Sequence, residues 1–382
     1  MASLPIPSKD AQAHCAELVS LIQRTIVQKG GWIDFATFMQ MALYTPQLGY
    51  YSGGAKKFGV GGDFVTAPEI SPLFAQALAQ QVAQVVEETH GDVFELGAGT
   101  GKLAGDLLLA LVQLQRLPAH YYILEVSDHL RMVQREYLQR HLPVDLFARI
   151  IWLDTMPENF IGVILGNEVL DAVPAHLISK HDGQIYERGV TWDNGLVWCD
   201  QLLVAGALYE EVNTYHLPDH YLTELNPSSV GLINSLVGIL QQGVILMLDY
   251  GFGAPEYYHP QRNQGTLMCH YQHYAHSDPL INVGLQDITA HVNFTAVAEA
   301  GVANGLSVAY VNQANFLINC GLLALLANTS PDDIAVYAPL AAAAQKLLSP
   351  AEMGELFKVI ALSKDINQPL IGFLQGDKRH TL

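Results

Sequence analysis

The chain has 382 residues, half of them hydrophobic and 15% charged, with a formal net charge of −18 at pH 7. That composition supports a large buried core in roughly two or three structural units. The excess of acid disfavours unspecific binding to nucleic acid or to anionic membrane, and favours the approach of a basic substrate.

The first residues, MASLPIPSKDAQAHC, lack the basic and apolar regions of a signal peptide and the arginines of a transit peptide. Leu18, Leu21, Ile22 and Ile26 fall at helical spacing, and Gly30-Gly31 stops that helix. IDFATFMQMALYTP predicts a second, short helix broken before Pro46. From Gly49 to Phe74 the chain is rich in Gly and Pro without a clean period, which predicts a long ordered loop. Its aromatics Tyr50, Tyr51, Phe58 and Phe64 argue against disorder. A helix is expected over 72–89, then strands at VFEL, YYILEV, RIIWLD, GVILGNEV and VILMLDYG, with helices over 102–117, 128–141 and 225–242. Apolar strands alternating with helices predict an α/β fold with a doubly wound, mostly parallel sheet.

Between the fourth and fifth strands, His181-Asp182-Gly183 and Asp193-Asn194-Gly195 are hairpin signals, so residues 175–224 read as an inserted β-rich lobe. After residue 290 come a helix, the strand SVAYVNQ, a long helical stretch and two strand-like runs, FKVIALSK and QPLIGFLQ. The expected organisation is an N-terminal helical cap and active-site loop over 1–71, a core over 72–174 and 225–382, and the lobe over 175–224. Cys15, Cys199, Cys269 and Cys320 are scattered, with no C-x-x-C pair, against a disulfide framework or zinc knuckle. No apolar run nears the ~18 residues that span a bilayer. A soluble, cytoplasmic, bacterial protein is expected, with no nucleic-acid partner and no membrane insertion.

The stretch DVFELGAGTGKLAGDLL places Gly97, Ala98, Gly99, Thr100 and Gly101 between a strand and a helix. Glycine there permits a tight turn and close approach of a ligand to the main chain. A dinucleotide fingerprint needs Gly or Ala where Lys102 stands, and a phosphate-binding Walker loop needs another glycine spacing and Ser or Thr where Leu103 stands. What remains is acid-x-G-x-G-x-G opening on Glu95, the loop that class I methyltransferases place under S-adenosylmethionine. Glu125 ends the second strand and can accept ribose hydroxyls. Asp154 ends the third and could face the adenine amino group. Asn167, Glu168 and Asp171 follow the fourth strand, where the reacting group lies in doubly wound sheets. They read either as a helix cap with nearby acids or as a clamp for a guanidinium or ammonium. Gly265 to Phe294 concentrates Cys269, His270, His273, His276 and His291, but not at zinc spacing, so no metal site is expected. The segment reads instead as a loop lining the substrate entrance, with Asp287 and His291 near the acceptor.

GGDFVTAPEISPLF, ELGAGTGKL, GNEVLDAVP, LDYG, GTLMCHYQH and DITAHVNF together resemble the MidA-type family, and the resemblance runs from Gly49 to the C-terminal strands. It implies a seven-stranded class I fold and S-adenosyl-L-methionine as cofactor. Its mitochondrial members are assembly factors for respiratory complex I that methylate protein arginine, which implies an arginine-bearing protein partner such as a respiratory-complex subunit. Thr66, Pro68 and Glu69 fall in the most distinctive part of the resemblance and are expected over the cofactor. Many members carry G-P-G-R-G in the glycine loop, whereas this chain has Gly97-Ala98-Gly99-Thr100-Gly101. A methyltransferase fold kept as a non-catalytic scaffold and a small-molecule or lysine methyltransferase are the alternatives, and a homodimer is compatible with the sequence. Carboxylates such as Glu168 and Asp171 would pair with a guanidinium bidentately, and His291 would take the proton afterwards.

Overall fold

A computed structural model describes residues 4–53 and 66–382. The chain divides into two compact units. One comprises residues 1–64, 171–231 and 254–291, the other 65–170, 232–253 and 292–382.

The second unit holds the large sheet. Its strands in chain order are β1 (Asp92–Leu96), β2 (Tyr121–Leu124), β3 (Ile150–Leu153), β4 (Phe160–Asn167), β5 (Leu240–Phe252), β6 (Ser307–Asn312) and β7 (Phe357–Lys364). They lie in the order β6-β7-β5-β4-β1-β2-β3, and the short strand Val292–Asn293 pairs with the far end of β5. The pairs from β5 to β3 are parallel, and only β7 runs against its neighbours β5 and β6. Helices on the faces explain why these strands are apolar runs rather than alternating ones. Val93, Ile123, Val163, Leu165, Leu246 and Val359 are buried in one cluster with helix residues such as Phe74, Leu78 and Leu107.

Three helices position the candidate site, and each starts on a local signal. In α1 (Pro72–Thr89), Ser71 caps the first turn through Leu73 N–H, and Pro72 occupies the first position, where no donor is needed. In α2 (Lys102–Gln113), Gly101 supplies the left-handed entry at φ 85°. In α3 (Asp128–His141), Ser127 accepts from Leu130 N–H, Asp128 stands in the first turn, and Arg140 and His141 complement the dipole in the last.

QPLIGFLQ does not form the expected strand. It contains a single turn of 3-10 helix, Ile371–Phe373, and β7 pairs with β6 instead. Its polar backbone groups are met by side chains: Gln84 accepts from Ile371 N–H, Gln81 from Gly372 N–H, and Asn319 donates to Gly372 O. The segment lies flat on the helix Gln313–Asn319, so close that a Cβ at Gly372 would come 2.3 Å from the Phe316 ring.

In the first unit, the helices Lys9–Gln28 and Phe35–Tyr44 bury Leu18, Ile22, Phe35, Phe38 and Met39. An antiparallel sheet joins Ile33–Asp34, Gln184–Trp192, His176–His181 and Tyr221–Leu225, with Leu196–Leu202 paired to Gln184–Trp192. Asp182-Gly183 and Asp193–Gly195 make its hairpin turns, and the stretch also contains a helix, Ala207–Thr214. The segment expected as a loop after Gly265 is instead a small sheet of Met268–Tyr271, Tyr274–His276 and Asp287–Thr289. Its two-residue hairpin uses Gln272 and His273 at φ 47° and 66°, the mirror-image turn that matches strand twist. The expected loop over 49–74 is helical from Ala67 to Ile70 and again from Pro72, and 54–65 lie outside the described residues.

Candidate functional site

The glycine loop leaves β1 and enters α2 through three left-handed glycines, Gly97, Gly99 and Gly101, at φ 60°, 55° and 85°. Gly97 N–H donates to Leu124 O at the end of β2, which ties the loop to the neighbouring strand. A Cβ at Gly99 would meet nothing within 4 Å among the described residues, so the backbone there is open to a ligand. Thr100 Oγ1 donates to Glu69 Oε1 at 2.6 Å, linking the loop to the segment that carries Thr66 and Pro68. Thr66 precedes the Ala67–Ile70 helix, and Pro68 is buried within it.

Glu95 lies beneath this loop rather than on it. It is 2% exposed and accepts the Tyr121 hydroxyl at 2.8 Å. Burial pushes its carboxyl up to about 7, against the Tyr121 hydrogen bond and with help from Glu125. Glu125 sits just past β2, 4% exposed. Ser127 N–H donates to its Oε1 at 2.9 Å and Gln134 Nε2 to its Oε2 at 3.0 Å, and burial raises its pKa despite both. The Val126 backbone N–H also bonds this carboxylate. Asp154, past β3, is 88% exposed and bonded to Arg131 at 2.6 Å, while Arg131 also donates to Glu125 O and Leu153 O. An adenine amino group facing Asp154 would therefore share it with a guanidinium.

At the end of β4, Asn167 Nδ2 donates to Glu168 Oε1 at 3.2 Å. Glu168 has φ 52°, uncommon for a residue with a side chain. The conformation is pinned: Glu168 N–H donates to Leu248 O, and buried Asp249 accepts from Val169 N–H and Leu170 N–H through Oδ2. Backbone strain of this kind clusters at functional sites.

Asp171, Asp287 and His291 belong to the other unit. Asp171 and Asp287 are both buried. Tyr51 donates to Asp287 Oδ1 at 2.9 Å, and Ala290 N–H donates to Asp171 O. Burial pushes the Tyr51 hydroxyl well above its usual range, and Asp287, Tyr44, Asp171 and Tyr50 add to it, so it stays a donor. His291 is half-buried, and its backbone N–H donates to Thr266 Oγ1. Burial likewise pushes the Cys269 thiol up, with Asp287 and Asp278 reinforcing the shift, which disfavours a metal-binding thiolate. Among the described residues, the group that brings metal-type ligand atoms together is Asp34, His176 and Glu187, which already interact with one another and with the protein. Asp34 caps the helix Phe35–Tyr44 through Thr37, and His176 Nδ1 bonds Glu187 at 2.6 Å.

The sequence does not single out Gln134, Arg131, Asp249 or Tyr51 as site residues. Asp249 stands in LDYG and Tyr51 in the run before the glycine-rich loop, but a single glutamine or arginine in a helix carries no local sign of such a role.

Residues 73–312 match a family described as S-adenosyl-L-methionine-dependent methyltransferases. A crystal structure from Burkholderia thailandensis bound to S-adenosyl-homocysteine is similar over 100% of both chains, with 47% identity and a TM-score of 0.96. A native structure from the same organism gives 46% identity and a TM-score of 0.94. The protein arginine methyltransferase NDUFAF7 homolog, mitochondrial, of Drosophila melanogaster is 27% identical over 97% of this chain and 91% of its own length. Its human counterpart is 27% identical over 88% and 81%. No helix of the described residues is long and apolar enough to cross a membrane. S-adenosylmethionine is the cofactor, and the open backbone at Gly99 and the buried carboxylate of Glu125 suit a phosphate-free nucleoside. A glycine loop of this form on this strand order, within a matched region exceeding half the chain, means that the protein belongs to the MidA-type family of class I S-adenosylmethionine-dependent methyltransferases.

Proposed function

We propose that the protein methylates arginine on a protein substrate. The observation that carries this reading is Glu168, an acid held in a left-handed conformation past β4 by Leu248 O and the Asp249 carboxylate. The names of the curated relatives support it, since they are arginine methyltransferases.

S-adenosylmethionine supplies an activated methyl group when bound, and Gly97 to Gly101, Glu125, Glu69 and Asp154 are the residues proposed to hold it. A guanidinium is planar and stays charged, with a pKa above ~12. A carboxylate at Glu168 would accept two of its N–H groups and fix its plane. That contact draws positive charge toward the acid and leaves electron density on the nitrogen that attacks. Asn167 donates to the Glu168 carboxylate from one side. In-line displacement then rests mainly on positioning, with reacting atoms ~3–3.5 Å apart. The transfer forms one N–C bond, breaks one S–C bond and releases one proton to solvent. Asp171 and Asp287, with Tyr51, are proposed to recognise cationic parts of the acceptor protein.

The test is transfer of labelled methyl from S-adenosylmethionine into proteins of a cell extract, followed by identification of the modified residue. Methylarginine is the expected product. Label on lysine or in the small-molecule fraction overturns the arginine assignment, and absence of transfer favours the scaffold alternative.

A further inference from the structure

We infer that Gln134 is a positioning residue of the cofactor site, its side-chain amide setting the aim of the Glu125 carboxylate and of the Gly99 carbonyl together. The inference rests on the proposal that Glu125 accepts the ribose hydroxyls.

Gln134 lies on α3 and is fully buried. A buried glutamine needs partners for both ends of its amide. Here the donor end reaches two acceptors: Nε2 lies 3.0 Å from Glu125 Oε2 and 3.1 Å from Gly99 O. The acceptor end takes the Trp152 indole N–H at 3.0 Å. All three contacts agree on one orientation. A flipped amide would set its oxygen against two oxygens and its NH2 against the indole N–H. The amide therefore acts as a fixed bracket between the glycine loop, the end of β2 and β3. Trp152 is itself held on its other side, where the Arg135 guanidinium lies 4.1 Å from the ring centroid.

The consequence is directional. Ser127 N–H takes one lone pair of Glu125 Oε1, and Gln134 takes one of Oε2. These bonds, with a further one from the Val126 backbone N–H, settle the torsion of the carboxylate, and Gln134 is the side chain among the three donors. A diol reads that torsion, because both hydroxyls must be met at once. The same amide holds Gly99 O, which keeps the most open glycine of the loop in its left-handed conformation. Arg131, one turn earlier on α3, braces the same strand ends through Glu125 O and Leu153 O. Its hydrogen bonds go to main chain and Asp154, and its charge favours the ionised Glu125 carboxylate without a hydrogen bond to it.

The experiment compares calorimetric Kd values for S-adenosylhomocysteine and for its 2′,3′-dideoxyribose analogue, together with melting temperatures. The wild type is expected to prefer the intact ribose by tenfold or more, on the order of one charge-assisted hydrogen bond per hydroxyl. Glu125→Gln is expected to lose much of that preference. Gln134→Met fills similar space without donors; it should weaken both ligands through the freed Gly99 carbonyl, and S-adenosylhomocysteine by about tenfold more than the dideoxy analogue through Glu125. A general loss of packing would weaken both equally and leave their ratio unchanged, which overturns the inference. If the wild type shows no preference, the Glu125 proposal fails first and Gln134 with it.

Gln134→Glu gives a second, independent reading. A carboxylate there still accepts from Trp152 but faces Glu125 and Gly99 O with no proton to offer. Two facing carboxylates hold one proton between them as pH falls, and that proton restores the bridge. S-adenosylhomocysteine affinity of Gln134→Glu should therefore recover toward wild type between about pH 8 and pH 5.5, with little change in the wild type. A flat profile for the folded variant overturns the inference.

Discussion

Thr100 Oγ1 and Glu69 Oε1 lie 2.6 Å apart, so the glycine loop is fastened by a side chain 31 residues earlier in the chain. The bond is charge-assisted and half-buried, worth at most ~1.5–3 kcal/mol. Thr100→Val and Glu69→Gln should each weaken S-adenosylhomocysteine, and the double variant should do little more than either, since both remove one bond. Additive losses in calorimetry would mean that the two residues act separately.

Gly99→Val tests the loop itself. Its φ of 55° costs a branched residue ~1–2 kcal/mol, and the described residues leave its Cβ free of contact. The variant should therefore fold, with a modest fall in melting temperature, yet lose measurable cofactor binding. Normal affinity in a folded Gly99→Val protein would remove the loop from the site.

Glu168 separates an enzyme from a scaffold. Glu168→Gln keeps the shape and should lower methyl transfer by tenfold or more, with cofactor Kd unchanged. Glu168→Gly should relieve the left-handed strain at φ 52° and raise stability by ~1 kcal/mol while losing activity. If the acid only complemented a helix end, Glu168→Gln would cost ~0.3–1 kcal/mol of stability and leave turnover near normal.

Glu95 makes stability depend on pH. Its carboxyl is raised by burial from 4.5 to about 7, so the folded state holds a proton that the unfolded state has released. Stability from this group is present below the unfolded value and is lost as pH rises to about 7, by at most about 3 kcal/mol. Glu95→Gln carries no such titration. Its melting temperature should gain on the wild type from about pH 4.5 upward and level off above about 7. A constant difference across that window would show that Glu95 titrates normally.

His176 shifts in the same direction for another reason. Burial would lower it, but the Glu187 hydrogen bond and the charges of Glu187, Asp34 and Glu211 outweigh burial and raise its pKa. The histidinium thus contributes stability below its unfolded value near ~6.5, and loses it as pH passes the folded one. His176→Gln should cost most at acid pH and progressively less toward pH 8. Zinc or EDTA should leave melting of the wild type unchanged if the cluster is only an ion pair, and a metal-dependent rise would overturn that.

The sheet and its glycine loop were legible in the sequence because their causes are local. Apolar runs fit strands buried on both faces, and α3 matches its expected span because Ser127, Asp128, Arg140 and His141 cap and charge its own ends. The glycines at 97, 99 and 101 announce positive φ wherever they stand. QPLIGFLQ shows where such reading stops. Its apolar content fits a strand, but Gln81 and Gln84, nearly 290 residues earlier, satisfy its backbone instead. Gln134 shows it again, since a helical glutamine is most often solvent-facing. Only the packing of α3 against the ends of β2 and β3 turns it inward and makes its amide a bracket. The strain at Glu168 is likewise tertiary, because it takes Leu248 and Asp249, about 80 residues onward, to hold it. Local propensity wrote the elements and the loop, and long-range hydrogen bonds between buried polar groups decided which side chains aim at the cofactor.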